Sequence, residues 1–278
     1  MKKIYISVIL IILTSLFLLT GCEQSGENNN TNSVKTTSSQ TNSVQNESEN
    51  ESQTETDLES FDYKSAAEKQ MAMPEDGETI AIIKVKNFGE MKVKFFDDIA
   101  PKAVENFTTH AKNGYYEGVT FHRVINEFMI QGGDPTGTGT GGESIWGTGF
   151  GTELSQELVP YRGSLCMAMS SAPNSIGSQF FITQANYSED MNSLMKQGGY
   201  PEGLLEQYKT YGGYLSLYLQ YTVFGQVYEG LDVLDKIAVV ETTSVPMVID
   251  GITYGTQDDK PVEDVIIEKV EITTYKAD

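Results

Sequence analysis

The side chains most often used as metal ligands or activated nucleophiles are scarce in this chain. There are two histidines, His110 and His122, and two cysteines, Cys22 and Cys166. They lie in separate segments without metal-ligand spacing, so no metal and no cofactor is expected. The glycine run at 137–142 is not a phosphate loop: no Gly-Lys-Ser/Thr follows it, and it opens no helix. Cys166 sits in the apolar run GSLCMAM and reads as a buried, inert thiol. His110 falls in a helical stretch with no partner in view. His122 tempts a general-base reading, but a structural role is the plainer one. Beside it stands Arg123, a rigid fork of five N–H donors that keeps its charge at any ordinary pH. Among apolar neighbours, such an arginine is either half of a salt bridge or a donor aimed at a ligand.

The segments that must position these residues are short and mostly extended. TIAIIKVK (79–86) and EMKVKFF (90–96) alternate as strands, with Asn87-Phe88-Gly89 as a tight connection. Ala103, Val104, Phe107 and Ala111 recur at helical spacing, with Pro101 at a favourable start and Gly114 at the end. Then come VTFHRVI, EFMIQGGD, a glycine-rich loop from Gly132 to Gly151, GSLCMAMS, SQFFITQ and TVFGQVY. A second helix is expected at 231–240, and VEDVIIEKVEITTY closes the chain as an alternating strand. Many short strands with two widely separated helices suggest a closed β-barrel with helical plugs.

Three of these segments carry a resemblance: FHRVINEFMIQGGDPTGTGTGGESIWG (121–147), GSLCMAMSSAPNSIGSQFFI (163–182) and YTVFGQVYEG (221–230). With APKAVENF (100–107) they closely resemble the cyclophilins, over about residues 78–275 apart from one insertion. The resemblance implies a mainly β fold: a closed eight-stranded antiparallel barrel with two capping helices, plus a helical insertion. It also implies a peptidyl-prolyl cis/trans isomerase; with the leader expected at residues 1–22, this would be a bacterial lipoprotein form whose partners are proline-containing segments of unfolded or folding exported proteins at the outer face of the membrane. A binding module on the same barrel, without turnover, is the alternative. The resemblance assigns catalysis to Arg123 and Gln131 and the proline pocket to Phe128, Met129 and Phe181. Ala168 and Met169 match a pair whose backbone runs along the bound peptide, although the family often has a polar residue where Met169 stands. Gln179 matches a polar wall. Phe128 and Met129 are adjacent, so both can line one site only if the backbone there is irregular.

The chain departs from the pattern between SQFFITQAN and YTVFG. Relatives have a short loop there with Leu-Asp-Gly; here an insertion at about 188–215 intervenes and Tyr218-Leu219 replaces the Asp-Gly turn. Aligning back from TVFG puts Tyr221 and Leu217 at pocket positions and Ser216 where relatives often carry Trp. Within the insertion, Leu204, Leu205, Tyr208 and Tyr211 share one face of an expected helix between Pro201 and Gly212-Gly213.

Composition frames the rest. The formal net charge is −20, with 26 glycines, 12 phenylalanines and 15 tyrosines. A surface so acidic argues against nucleic acid as a partner. Residues 1–22 read as a lipoprotein signal peptide: Lys2 and Lys3, an apolar stretch shorter than the ~20 residues of a membrane span, then Leu19-Thr20-Gly21-Cys22. Cys22 is the expected lipidation site, and two or more acyl chains would anchor the chain stably to the extracytoplasmic face of the membrane. Residues 23–57 are polar and of low complexity, a disordered tether reaching roughly 30–35 Å. Residues 58–77 would add a short helix and lead-in, and 78–278 the catalytic domain, expected as a monomer.

Overall fold

The computed structural model describes residues 58–249 and 252–277. The expected leader, the lipidated Cys22 and the tether fall outside them. The chain divides after Ser60, and the second unit, from Phe61 on, carries ten strands and five helices among the described residues. None of these helices is long and apolar enough to cross a membrane.

Eight strands form one antiparallel sheet. They are β1 (Thr79–Val85), β2 (Gly89–Phe95), β3 (Arg123–Ile125), β4 (Met129–Gly132), β5 (Ser164–Met167), β6 (Phe180–Thr183), β7 (Val223–Glu229) and β10 (Ile267–Thr274). Their spatial order is β10-β1-β2-β7-β5-β6-β4-β3. Bulges at Lys84/Val85, Lys92/Val93 and Leu165/Cys166 add local twist and curl the sheet.

The curl does not close, which corrects the expected closed barrel. No ladder joins the edge strands β3 and β10. One isolated bridge, Thr120 to Ile266, brings the chain ahead of β3 against the start of β10. Two physical causes stand out. β3 is only three residues long, so it offers little ladder to pair. A separate two-stranded hairpin, β8 (Thr242–Ile249) with β9 (Ile252–Pro261), also packs against β3. That hairpin was not expected from the sequence.

Alternation divides the sheet into two faces. Val124, Ile130, Leu165, Ile182 and Phe224 point into the main core with Phe107 of α2 (Pro101–Lys112) and Leu234 and Ile237 of α5 (Leu231–Ala238). These are the two helices the sequence placed. Ala100 gives α2 no side-chain cap; the carboxylate of Glu153 takes its place, accepting from the Lys102 and Ala103 amides at 3.1 and 2.9 Å. The opposite face carries a second, smaller cluster, described below.

Three further helices sit outside this frame. α1 (Tyr63–Met71) is pinned by Gln70, whose amide nitrogen donates to the Val159 carbonyl at 2.7 Å while its oxygen accepts the Val159 amide at 3.0 Å. The insertion forms two helices. The expected one is α4 (Glu202–Tyr211), which buries Leu204, Leu205 and Tyr208. An unexpected one is α3 (Glu189–Gln197), capped by the Ser188 hydroxyl accepting from the Met191 amide. The insertion's apolar stripe packs against this same domain, since Gly203 of α4 approaches the Tyr63 ring and Tyr211 lies 5.3 Å from Tyr161 between ring centres.

Candidate active site

Strand register builds the site. Arg123 pairs with Gln131, Gln131 with Phe181, Phe181 with Cys166, and Cys166 with Val223. Cross-strand partners point to the same face, so these five form one row across β3, β4, β6, β5 and β7. The row lies on the face opposite the main core. Its apolar part is a cluster of Phe96, Met129, Leu158, Cys166, Phe181, Leu217 and Val223, flanked by half-buried Phe128, Ala168, Tyr214 and Tyr221.

The adjacent pair Phe128 and Met129 does share this cluster, by the irregularity that alternation demanded. Glu127 takes a left-handed φ of 56°, and the Phe128 amide donates back to the Ile125 carbonyl at 3.1 Å. Phe128 therefore belongs to the β3–β4 turn, and regular alternation begins only with Met129. Its ring packs on Tyr214 with centroids 4.4 Å apart. Tyr221 meets Phe181 edge-on at 5.5 Å.

Leu217 enters from a single 3-10 turn, Leu215–Leu217, and the Tyr221 amide donates to its carbonyl at 3.2 Å. The rewritten turn that follows works without glycine: Leu219 itself adopts a left-handed φ of 56°. This conformation is strained for a branched side chain, at the turn where the resemblance leads one to expect Asp-Gly. Ser216 is half-buried on the same turn.

Polar groups rim the cluster. Gln131 donates to the Gln179 side-chain oxygen at 2.9 Å, and Gln179 donates in turn to the Gly139 and Gly141 carbonyls at 3.1 and 2.7 Å. The glycine-rich loop is itself wrapped around Asp134, whose carboxylate accepts from the Thr136, Gly139 and Gly141 amides. The run that resembled no phosphate loop thus has its amides occupied internally. Ala168 donates its amide to the Gln179 carbonyl at 3.0 Å, and Met169 just beyond it is 36% exposed and outside the cluster. Arg123 donates through Nε to Asp259 Oδ2 at 2.6 Å.

The comparisons with known proteins settle the family. The sequence profile described as cyclophilin type peptidyl-prolyl cis-trans isomerase/CLD matches residues 80–272. The chain belongs to the cyclophilin-type peptidyl-prolyl cis-trans isomerases. A protein of Staphylococcus epidermidis named as a peptidyl-prolyl cis-trans isomerase is 50% identical over 194 residues, covering 69% of this chain and 91% of that one. Its Staphylococcus aureus counterpart is 48% identical over 194 residues, with the same coverage. Among solved structures, a cyclophilin type isomerase of Cryptosporidium parvum is similar at a TM-score of 0.54 and 31% identity, covering 72% of this chain and 99% of that one.

The structure brings Arg123, Phe128, Met129, Gln131, Phe181, Leu217 and Tyr221 of this cyclophilin to one face, with Ala168 and Gln179 at the rim. Met169 is the outlier. Sequence reasoning missed Tyr214 and Asp259. Tyr214 lay among the residues of the insertion and could have been suspected from its two-residue distance to Ser216. Asp259 carries no motif at all.

Neither histidine is set up for proton transfer. Burial pulls both below the ordinary imidazole value of 6.5. For His110 the Glu143 carbonyl, 2.9 Å from Nε2, opposes that shift; around His122, Asp134 and Asp259 oppose it while Arg123 and Lys260 add to it. Both rings are therefore neutral at pH 7. The unfolded chain binds these protons near pH 6.5, and the folded chain only at lower pH. Stability should be fully present above about pH 7.5 and fall as pH drops through 6.5. We expect a lower melting temperature at pH 5.5 than at pH 7.5, and a flatter profile in His110→Gln. Either imidazole titrating above 6.5 by NMR in the folded protein would contradict this.

Proposed function

We propose that this isomerase acts on proline-containing segments of exported proteins as they fold, at the extracytoplasmic face of the membrane. The observation that carries the catalytic part is the single row Arg123–Gln131–Phe181 beside the apolar cluster. A prolyl peptide bond resists rotation by about 18–20 kcal/mol because its nitrogen lone pair is delocalised. Rotation localises that pair on nitrogen. An enzyme then needs a donor aimed at the nitrogen, an apolar slot for the ring and a hold on the neighbouring backbone.

On this reading Phe128, Met129, Phe181 and Leu217 receive the ring, and Tyr221 adds an aromatic wall with a polar tip. Arg123 donates to the nitrogen and the adjoining carbonyl. Gln131, steadied by Gln179, bonds the substrate backbone, which runs along Ala168 and Met169. The Cryptosporidium relative was also solved in the presence of the dipeptide ala-pro, the same unit proposed as the minimal substrate here. A protease-coupled isomerisation assay on Ala-Pro tetrapeptides tests this; no acceleration by the folded protein would end it.

The location rests on the sequence of the leader and tether. Two or more acyl chains on Cys22 would hold the monomeric domain to the membrane, and residues 23–57 would let it reach roughly 30–35 Å outward. Cys22→Ala should release the protein to the medium or leave its leader uncleaved. Fatty-acid labelling of that variant as strong as that of wild type would refute the anchor.

A further inference from the structure

One carboxylate holds the arginine, that of Asp259. Asp259 lies near the end of β9, in a hairpin beside β3. Its Oδ2 accepts the Arg123 Nε–H at 2.6 Å. The side chains of Arg123 and Asp259 are 34% and 17% exposed, so this is a half-buried pair at the edge of the site. The other carboxylate oxygen, Oδ1, is buried without a hydrogen-bond partner among the described residues. Among the described residues, Asp259 is not knitted into a wider polar network, and its side chain bonds Arg123 alone.

We infer that Asp259 is a positioning residue for Arg123, fixing the plane of the guanidinium so that its two Nη groups face the substrate. This deepens the proposed function and rests on its assignment of Arg123. The chemistry of the group favours it. A guanidinium is planar, with one donor on Nε and four on the Nη atoms. Holding Nε fixes the plane and spends only the donor nearest the backbone. Among the described residues the Arg123 side chain makes no second hydrogen bond.

A purely stabilising role explains less. A half-buried ion pair with one unsatisfied oxygen loses much of its attraction to desolvation. Orientation is the stronger lever, because a donor displaced by about 1 Å from a reacting atom can cost 10²-fold in rate. The opposing effect is charge: a carboxylate at Nε dampens the positive potential of the fork. If damping won, removing Asp259 would speed the reaction.

The test is kinetic and spectroscopic, on the full domain. Asp259→Asn should lower kcat on Ala-Pro tetrapeptides by about 10-fold or more, with KM within about 3-fold. Asp259→Glu should recover part of the loss. In an Arg123→Ala background, Asp259→Asn should change the rate less than about 2-fold. Unchanged or raised kcat in folded Asp259→Asn would overturn the inference, as would a full independent loss in the Arg123→Ala background. The Arg123 Nε–H resonance, assigned by its disappearance in Arg123→Lys, should exchange slowly with water in wild type. A rapidly exchanging Nε–H in wild type would overturn it even if no Asp259 variant folded. Should Arg123→Ala alone be fully active, the underlying reading fails; if it is inactive but Asp259→Asn is normal, only the positioning role fails.

Discussion

Arg123→Ala should lower kcat/KM on prolyl tetrapeptides by about 100-fold or more while the fold survives. Nothing else in the row can replace its donation. Gln131 spends one N–H on Gln179 at 2.9 Å, and its neutral amide offers no charged fork. His122 is buried and held neutral, and bond rotation needs no proton transfer. The fold should tolerate the change because Arg123 lies on a three-residue edge strand, on the face opposite the main core. Its loss strands the Asp259 carboxylate, so a drop of a few degrees in melting temperature is expected. Arg123→Lys should restore little, since an ammonium supplies charge without the planar fork. A folded Arg123→Ala enzyme with near-wild-type kcat/KM would remove the arginine from the mechanism.

Much of this arrangement was legible because the site is written locally in the chain. FHRVI and FMIQGG place Arg123 and Gln131 on facing strands, and the period-two pattern puts both opposite the core. Closure was not legible. Alternation says which face a residue takes, but not whether the first and last strands meet, and β3 proved too short to carry a closing ladder. The β8–β9 hairpin did have a signal. Asp250-Gly251 separates two apolar runs, the strongest short hairpin pattern, and Ile249 pairs with Ile252. Helix α3 had only Met191, Leu194 and Met195 as apolar residues in a polar stretch, so its periodicity was weak. Asp259 could not have been found from sequence, because an ion pair 136 positions apart leaves no local pattern.

Gly213→Ala should damage the pocket from the insertion side. Gly213 has a φ of 102°, a conformation that side chains rarely adopt. A Cβ there would collide with the Pro160 carbonyl oxygen and come within 2.5 Å of the Tyr161 Cα. Both obstacles are backbone, so no rotamer change relieves them. The segment is also fixed on two sides: the Gly213 amide donates to the Ala185 carbonyl and the Tyr214 amide to the Pro160 carbonyl, each at 2.9 Å. Strain and overpacking together should cost about 3 kcal/mol, which for a domain of this size is a fall in melting temperature of roughly 6–12 °C. The displacement would travel to the adjacent Tyr214, which packs on Phe128, and to Leu217 two residues further than Leu215. The proline slot should loosen while Arg123, on the far side of the row, stays in place. KM for tetrapeptides should therefore rise several-fold, with kcat nearly kept. Gly199→Ala is the control, because Gly199 has a φ of 81° but open space around its Cβ. It should lose only the conformational part, about 1 kcal/mol, and keep its KM. Were Gly213→Ala to melt within about 2 °C of wild type with an unchanged KM, the Gly212–Tyr214 segment would not be what holds this wall of the pocket.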